Sequence, residues 1–114
     1  MNDCIFCKII SKEVSSKIIA ENDEIMIFED HQPSAPIHWL IVPKKHSVTP
    51  YDTDQATLGL MIKIAADSAE KNGIDKKGYR LIINVGKEGG QIVQHIHLHL
   101  MAGKQLASRS YGRG

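Results

Sequence analysis

The chain has 114 residues, with 14 Lys+Arg against 13 Asp+Glu and a formal net charge of +1, which fits a single domain able to bury a core of its own. The near-neutral balance provides no basic face for nucleic acid, and no apolar run reaches membrane-span length. With no secretory pattern at Met1-Asn2-Asp3-Cys4, the chain reads as a soluble cytoplasmic protein without nucleic-acid or membrane partners. The charge is uneven, because residues 104–114 carry Lys104, Arg109 and Arg113 and no acid. They form a basic tail after a main domain spanning residues 3–103.

Ile5 to Lys12 reads as a short helix. Lys17 to Glu21 and Glu24 to Asp30 read as strands around an Asn22-Asp23 turn, with Met26, Phe28 and Asp30 on one face. Pro33 and Pro36 make the next stretch a loop. His38 to Val42 then forms a third strand, with His38, Leu40 and Val42 on one face. Asp54 to Lys71 is the long helix: Leu58, Met61, Ile62, Ala65 and Ala69 recur at helical spacing. Asp52 and Gln55 resemble a capping box, and Gly73 follows the end. Tyr79 to Val85 reads as a strand with Arg80, Ile82 and Asn84 on one face. A glycine-rich loop, residues 86–91, leads into a last strand. Strands, one long helix and two more strands favour an α+β domain on a mainly antiparallel sheet.

The last strand contains His95-Ile96-His97-Leu98-His99. Side chains alternate across a strand, so all three imidazoles share one face, and Gln94, Ile96, Leu98 and Leu100 the core face. Imidazoles exchange protons, attack electrophiles and bind metal near neutral pH. The spacing alone leaves three readings open: satisfied core histidines, a three-histidine metal site, or nucleophilic catalysis. Gly89 and Gly90 let backbone approach a ligand closely, and successive N–H groups can cradle an anion. Asn84, one strand away, adds a neutral amide.

The run Gly89-Gly90-Gln91-Ile92-Val93-Gln94-His95-Ile96-His97-Leu98-His99 resembles the motif of the histidine triad (HIT) superfamily. Asp30-x-x-Pro33-x-Ala35-Pro36-x-His38, Val42-Pro43-Lys44-Lys45-His46, Gly78-Tyr79-Arg80 and Asn84 are similar in order and spacing to its nucleotide-binding, Hint-like purine nucleoside phosphoramidase branch. The resemblance implies a sheet of about five strands and a homodimer acting on AMP-type purine nucleotides. It implies hydrolysis of nucleoside 5′-phosphoramidates or related adenylates through a covalent nucleotidyl-histidine, without an organic cofactor. By position, His97 would be the nucleophile, flanked by His95 and His99, with Asn84 and His38 completing the orienting network. Phe6, Phe28 and Asp30 would line the nucleoside pocket, with Ile5, Ile9 and His31 beside them and Gly90 and Gln91 at the phosphate. Two positions depart from the branch: Ile92 replaces a commonly polar residue near the leaving group, and His31 an apolar one.

Cys4 and Cys7 are too few for a disulfide framework; they read as ordinary thiols, a redox pair or ligands of a structural zinc. Related histidine triad proteins with this Cys-x-x-Cys use histidines at the positions of His46 and His95, which implies a site of Cys4, Cys7, His46 and His95.

Overall fold

In a computed structural model, residues 3–107 are described. Arg109, Arg113 and most of the expected basic tail lie outside them. The chain runs α1 (Ile5–Ile10), β1 (Ile18–Glu21), β2 (Ile25–Glu29), β3 (Ile37–Pro43), a 3₁₀ turn (Pro50–Asp52), α2 (Gln55–Lys71), β4 (Arg80–Ile82) and β5 (Leu98–Ala102). The strands form one five-stranded antiparallel sheet in the order β1-β2-β3-β5-β4, an α+β domain as expected. After β3 the chain crosses through α2 to the far edge, leaving a gap that β5 fills. That insertion puts the triad segment beside β3, the central strand.

Alternation along β2 and β3 divides the apolar residues into two layers. Ile25, Ile27, Trp39 and Ile41 join Ile96, Leu98 and Leu100 beneath α2. Met26, Phe28, Leu40 and Val42 face the other way and are covered by Phe6 and Ile9 of α1. The histidines and α1 therefore share one face of the sheet.

Local chemistry corrects several boundaries. Cys4 caps α1, its Sγ accepting from the Cys7 N–H, and the helix ends at Ile10 with Lys12 in the left-handed region at φ 69°. In the first hairpin the Asn22 side chain accepts from the Glu24 and Ile25 N–H groups, each at 2.8 Å. The residue capping α2 is Asp54, accepting from Thr57 N–H, whereas Asp52 closes a capping box with Thr49 on the preceding turn. Leu60 and Ile64 pack against the core, while Ile62 is 49% exposed. Helix α2 is thus rolled toward the Leu60–Ile64 side, a rotation that spacing alone leaves free.

The expected Tyr79–Val85 strand shrinks to Arg80–Ile82, because only these residues pair with β5. The triad strand begins at Leu98, so His95 and His97 precede the ladder, His95 at the end of a bend over residues 93–95. Their alternation survives: His95 and His97 lie opposite buried Ile96 and Leu98. Gln94 is exposed and does not join that core face. Among the described residues, no helix is long and apolar enough to cross a membrane.

Candidate active site

A cavity of about 380 Å³ opens between α1, the ends of β2 and β3, and the triad segment. Phe6 and Phe28 wall one part of it, Asp30 and His38 another, and His97 and His99 a third. Ile5, Ile9, His31, Asn84 and Gly90 also line it. Gln32, Ser34 and Val93, which sequence reasoning missed, line it too; the proline-rich loop spacing was the available signal for the first two. Gln91 does not line it. Its buried side chain is spent on backbone partners, so the expected nucleotide contact is not what its carboxamide makes.

Hydrogen bonds fix the tautomers of His97, His38, His99 and His95 in turn. His97 Nδ1–H donates to the His95 carbonyl at 2.7 Å, which leaves Nε2 with a free lone pair. The Phe6 ring packs against the imidazole, with ring centres 5.0 Å apart. Burial pushes the pKa of His97 down, opposed by that carbonyl and by the charge of Asp30. The imidazole is therefore neutral, with its Nε2 lone pair available.

A second chain of bonds runs from backbone to cavity. Ser34 N–H donates to His38 Nδ1 at 3.0 Å, so His38 carries its proton on Nε2. That Nε2–H donates to His99 Nδ1 at 2.9 Å, with Asp30 Oδ2 farther away at 3.4 Å. Desolvation, then the charges of His97 and His38, push His99 down to about 4, so it too is neutral. Its proton therefore sits on Nε2, a buried donor with no hydrogen-bond partner among the described residues. Leaving such a group unpaired costs roughly 1–3 kcal/mol. A ligand oxygen or nitrogen in the cavity is the natural acceptor.

His95 points away from this network. Its Nε2–H donates to the Pro43 carbonyl at 2.8 Å, leaving the Nδ1 lone pair 3.3 Å from Cys4 Sγ and 3.6 Å from Cys7 Sγ. His46 Nδ1 lies 3.3 Å from Cys7 Sγ. The four ligand atoms all lie within 4.8 Å of one another, and the cluster could hold a metal ion. Tetrahedral zinc with bonds of about 2.3 Å to sulfur and about 2.0 Å to nitrogen places S and N roughly 3.5 Å apart, which matches these separations. Burial pushes the Cys4 thiol up and the His95 imidazole down to about 4, so His95 presents the unprotonated nitrogen that a metal needs.

The three-histidine metal arrangement is not what forms. His97 belongs to neither metal-type cluster found among the described residues, and His95 turns toward the thiols. The second cluster, Asp30, His38 and His99, is a poor ligand set. Ser34 N–H holds the His38 proton on Nε2, the atom that would have to bind.

The glycine loop brings Asn84 and Gly90 to the cavity. Gly90 has φ 81°, and a Cβ on Gly89 would collide with the Val85 carbonyl, so both positions require glycine.

The HIT domain family matches residues 11–106, and this chain belongs to it. It is 44% identical over 107 residues to the purine nucleoside phosphoramidase of Escherichia coli K12, covering 91% of this chain and 90% of that protein. The structure of a histidine triad protein from Clostridium difficile superposes with a TM-score of 0.91 at 38% identity, covering 96% of this chain and 98% of that one. A HIT family hydrolase from Legionella pneumophila Philadelphia 1 gives 0.88 at 41% identity, covering 92% and 96%.

Proposed function

We propose that the chain is a nucleoside phosphoramidate hydrolase that cleaves the P–N bond of AMP-type purine nucleotides, or of related adenylates, through a covalent nucleotidyl-His97. The observation that carries this reading is the tautomer of His97. The His95 carbonyl holds its proton on Nδ1, so Nε2 is a lone-pair nucleophile on the wall of a cavity that also contains Phe28 and Asp30. The E. coli relative's phosphoramidase name supports the same reaction class.

In this mechanism Phe6, Phe28 and Ile9 pack around the base, and the Asp30 carboxylate accepts from the ribose hydroxyls. His97 Nε2 attacks phosphorus and the P–N bond breaks. The amine leaves with one proton drawn from solvent water, and the hydrolysis step returns one to solvent. His99 Nε2–H, oriented through His38 and Ser34, hydrogen-bonds the charge that develops on the phosphoryl group or leaving atom. Water then attacks phosphorus, loses a proton, restores His97 and releases the 5′-monophosphate. Two accessible steps replace one difficult hydrolysis.

Mass spectrometry of protein quenched during turnover of adenosine 5′-phosphoramidate should find a nucleotidyl adduct on His97. His97→Ala should remove nearly all turnover while retaining nucleotide affinity. A variant with more than about one per cent of activity would reject nucleophilic catalysis, since even acid–base roles contribute ~10²–10⁴-fold.

Two further features accompany this reading. Zinc is the metal best suited to Cys4, Cys7, His46 and His95; it would brace α1 against the triad segment and supplies no step of the chemistry. A homodimer is supported by β4, which is paired on one side only among the described residues. Sedimentation at micromolar concentration should give a dimer mass, and a persistent monomer would reject it.

A further inference from the structure

Gln91 is buried, at 7% exposure, beside the cavity rather than on its wall. Its carboxamide makes three hydrogen bonds to backbone. Oε1 accepts from Gly86 N–H at 2.9 Å, and Nε2 donates to the carbonyls of Val48 at 2.7 Å and Val93 at 3.2 Å. The Gln91 N–H in turn donates to the Gly86 carbonyl at 3.0 Å, closing the glycine loop on itself. Nearby, the Ile96 N–H donates to the Ser47 carbonyl at 2.8 Å, so the same 47–48 segment holds the chain on both sides of the triad's start. The residues flanking Gln91, namely Gly90, Ile92 and Val93, line the cavity with His97.

From this placement we infer that Gln91 is a positioning residue: one side chain locks the Gly90–Val93 wall at the height of His97, and so sets where the phosphate sits for attack. This rests on the reading of the cavity as a nucleotide site. The chemistry required is narrow. The three partners need one acceptor and two donors, which a primary carboxamide of this length supplies. A carboxylate keeps the Gly86 bond and sets negative charge against two carbonyls. A thioether of the same length makes none of the bonds.

The test uses Gln91→Met and Gln91→Glu in the full chain, with two readouts. Calorimetry compares AMP with adenosine, which lacks the phosphate; steady-state kinetics on adenosine 5′-phosphoramidate separates kcat from KM. A wall displaced by about 1 Å can cost on the order of 10²-fold in rate. The expected result is therefore a 10–100-fold fall in kcat, AMP affinity at least tenfold weaker, and adenosine affinity within about twofold. Parallel loss of AMP and adenosine binding assigns Gln91 a general structural role and overturns the inference. So does unchanged kcat in a folded variant. If Gln91→Met does not fold by circular dichroism, Gln91→Glu, which keeps length and the Gly86 bond, carries the same readouts. Absence of phosphoramidate turnover in the wild type would sink the proposed reaction, while the AMP-to-adenosine comparison would still decide the role of Gln91.

Discussion

Replacing His99 by Phe isolates the unpartnered donor. The ring volume is nearly kept, and His38 Nε2–H, losing its acceptor at 2.9 Å, still has Asp30 Oδ2 at 3.4 Å. What disappears is a buried Nε2–H that has no partner among the described residues. In the free protein that group is a liability, so the variant should be at least as stable as the wild type near pH 7. In the complex the same group meets phosphoryl charge, and a hydrogen bond to a charged group contributes about 1.5–3 kcal/mol. At about 1.4 kcal/mol per tenfold in rate, kcat/KM for adenosine 5′-phosphoramidate should fall roughly 10–150-fold. Adenosine affinity, which does not involve this donor, should stay within about threefold. The assay is steady-state hydrolysis with product quantified by chromatography, beside urea unfolding. A kcat/KM change of less than threefold in a folded variant, or adenosine binding weakened as much as turnover, would refute this role for His99.

The same group sets an acid limb of stability. His99 titrates at about 4 in the folded chain, against about 6.5 for a free imidazole. Because the folded value is depressed, the unfolded chain takes up a proton first, and the fold loses stability relative to neutral pH as pH falls from about 6.5 toward 4, by at most roughly 3 kcal/mol and by less where solvent screens this part-exposed ring. Urea midpoints from pH 7 to 4 should therefore fall less steeply for His99→Phe than for the wild type; coincident slopes would reject this origin. Ile92 is 90% exposed on the cavity wall and cannot donate a hydrogen bond. Ile92→Ser should raise turnover of an amine-leaving substrate by on the order of 10–100-fold and help a mixed-anhydride substrate less. Equal effects on both, or no gain, would mean that this side chain does not assist departure; low wild-type turnover with firm AMP binding would favour a nucleotide-binding regulatory module. Metal analysis of untagged protein should find one zinc per chain, and Cys4→Ser should lower both zinc content and thermal stability. Full reactivity of both thiols under native conditions would contradict a bound metal.

The sequence by itself determined the types of the helices and strands and the face assignments along β2 and β3. Period-two alternation in β2 and β3 sends Met26, Phe28, Leu40 and Val42 to one layer and Ile27, Trp39 and Ile41 to the other, because successive side chains on a strand point oppositely. The same rule put the three histidines on one side even though His95 and His97 lie ahead of the ladder. Motif resemblance named most of the residues that the fold gathers around the cavity, from Phe6 near one end of the chain to His99 near the other, but not Gln32, Ser34 or Val93. Tertiary structure decided what each imidazole does. Identical side chains at equal spacing become a thiol neighbour, a fixed-tautomer lone pair and an orphaned donor, because the Pro43 carbonyl, the His95 carbonyl and His38 each take one ring nitrogen. These partners come from segments that pairing brings together, and a local pattern carries no record of them. The length of β4, the roll of α2 and the burial of Gln91 have the same origin. Each depends on which distant backbone groups remain to be satisfied once the sheet has closed.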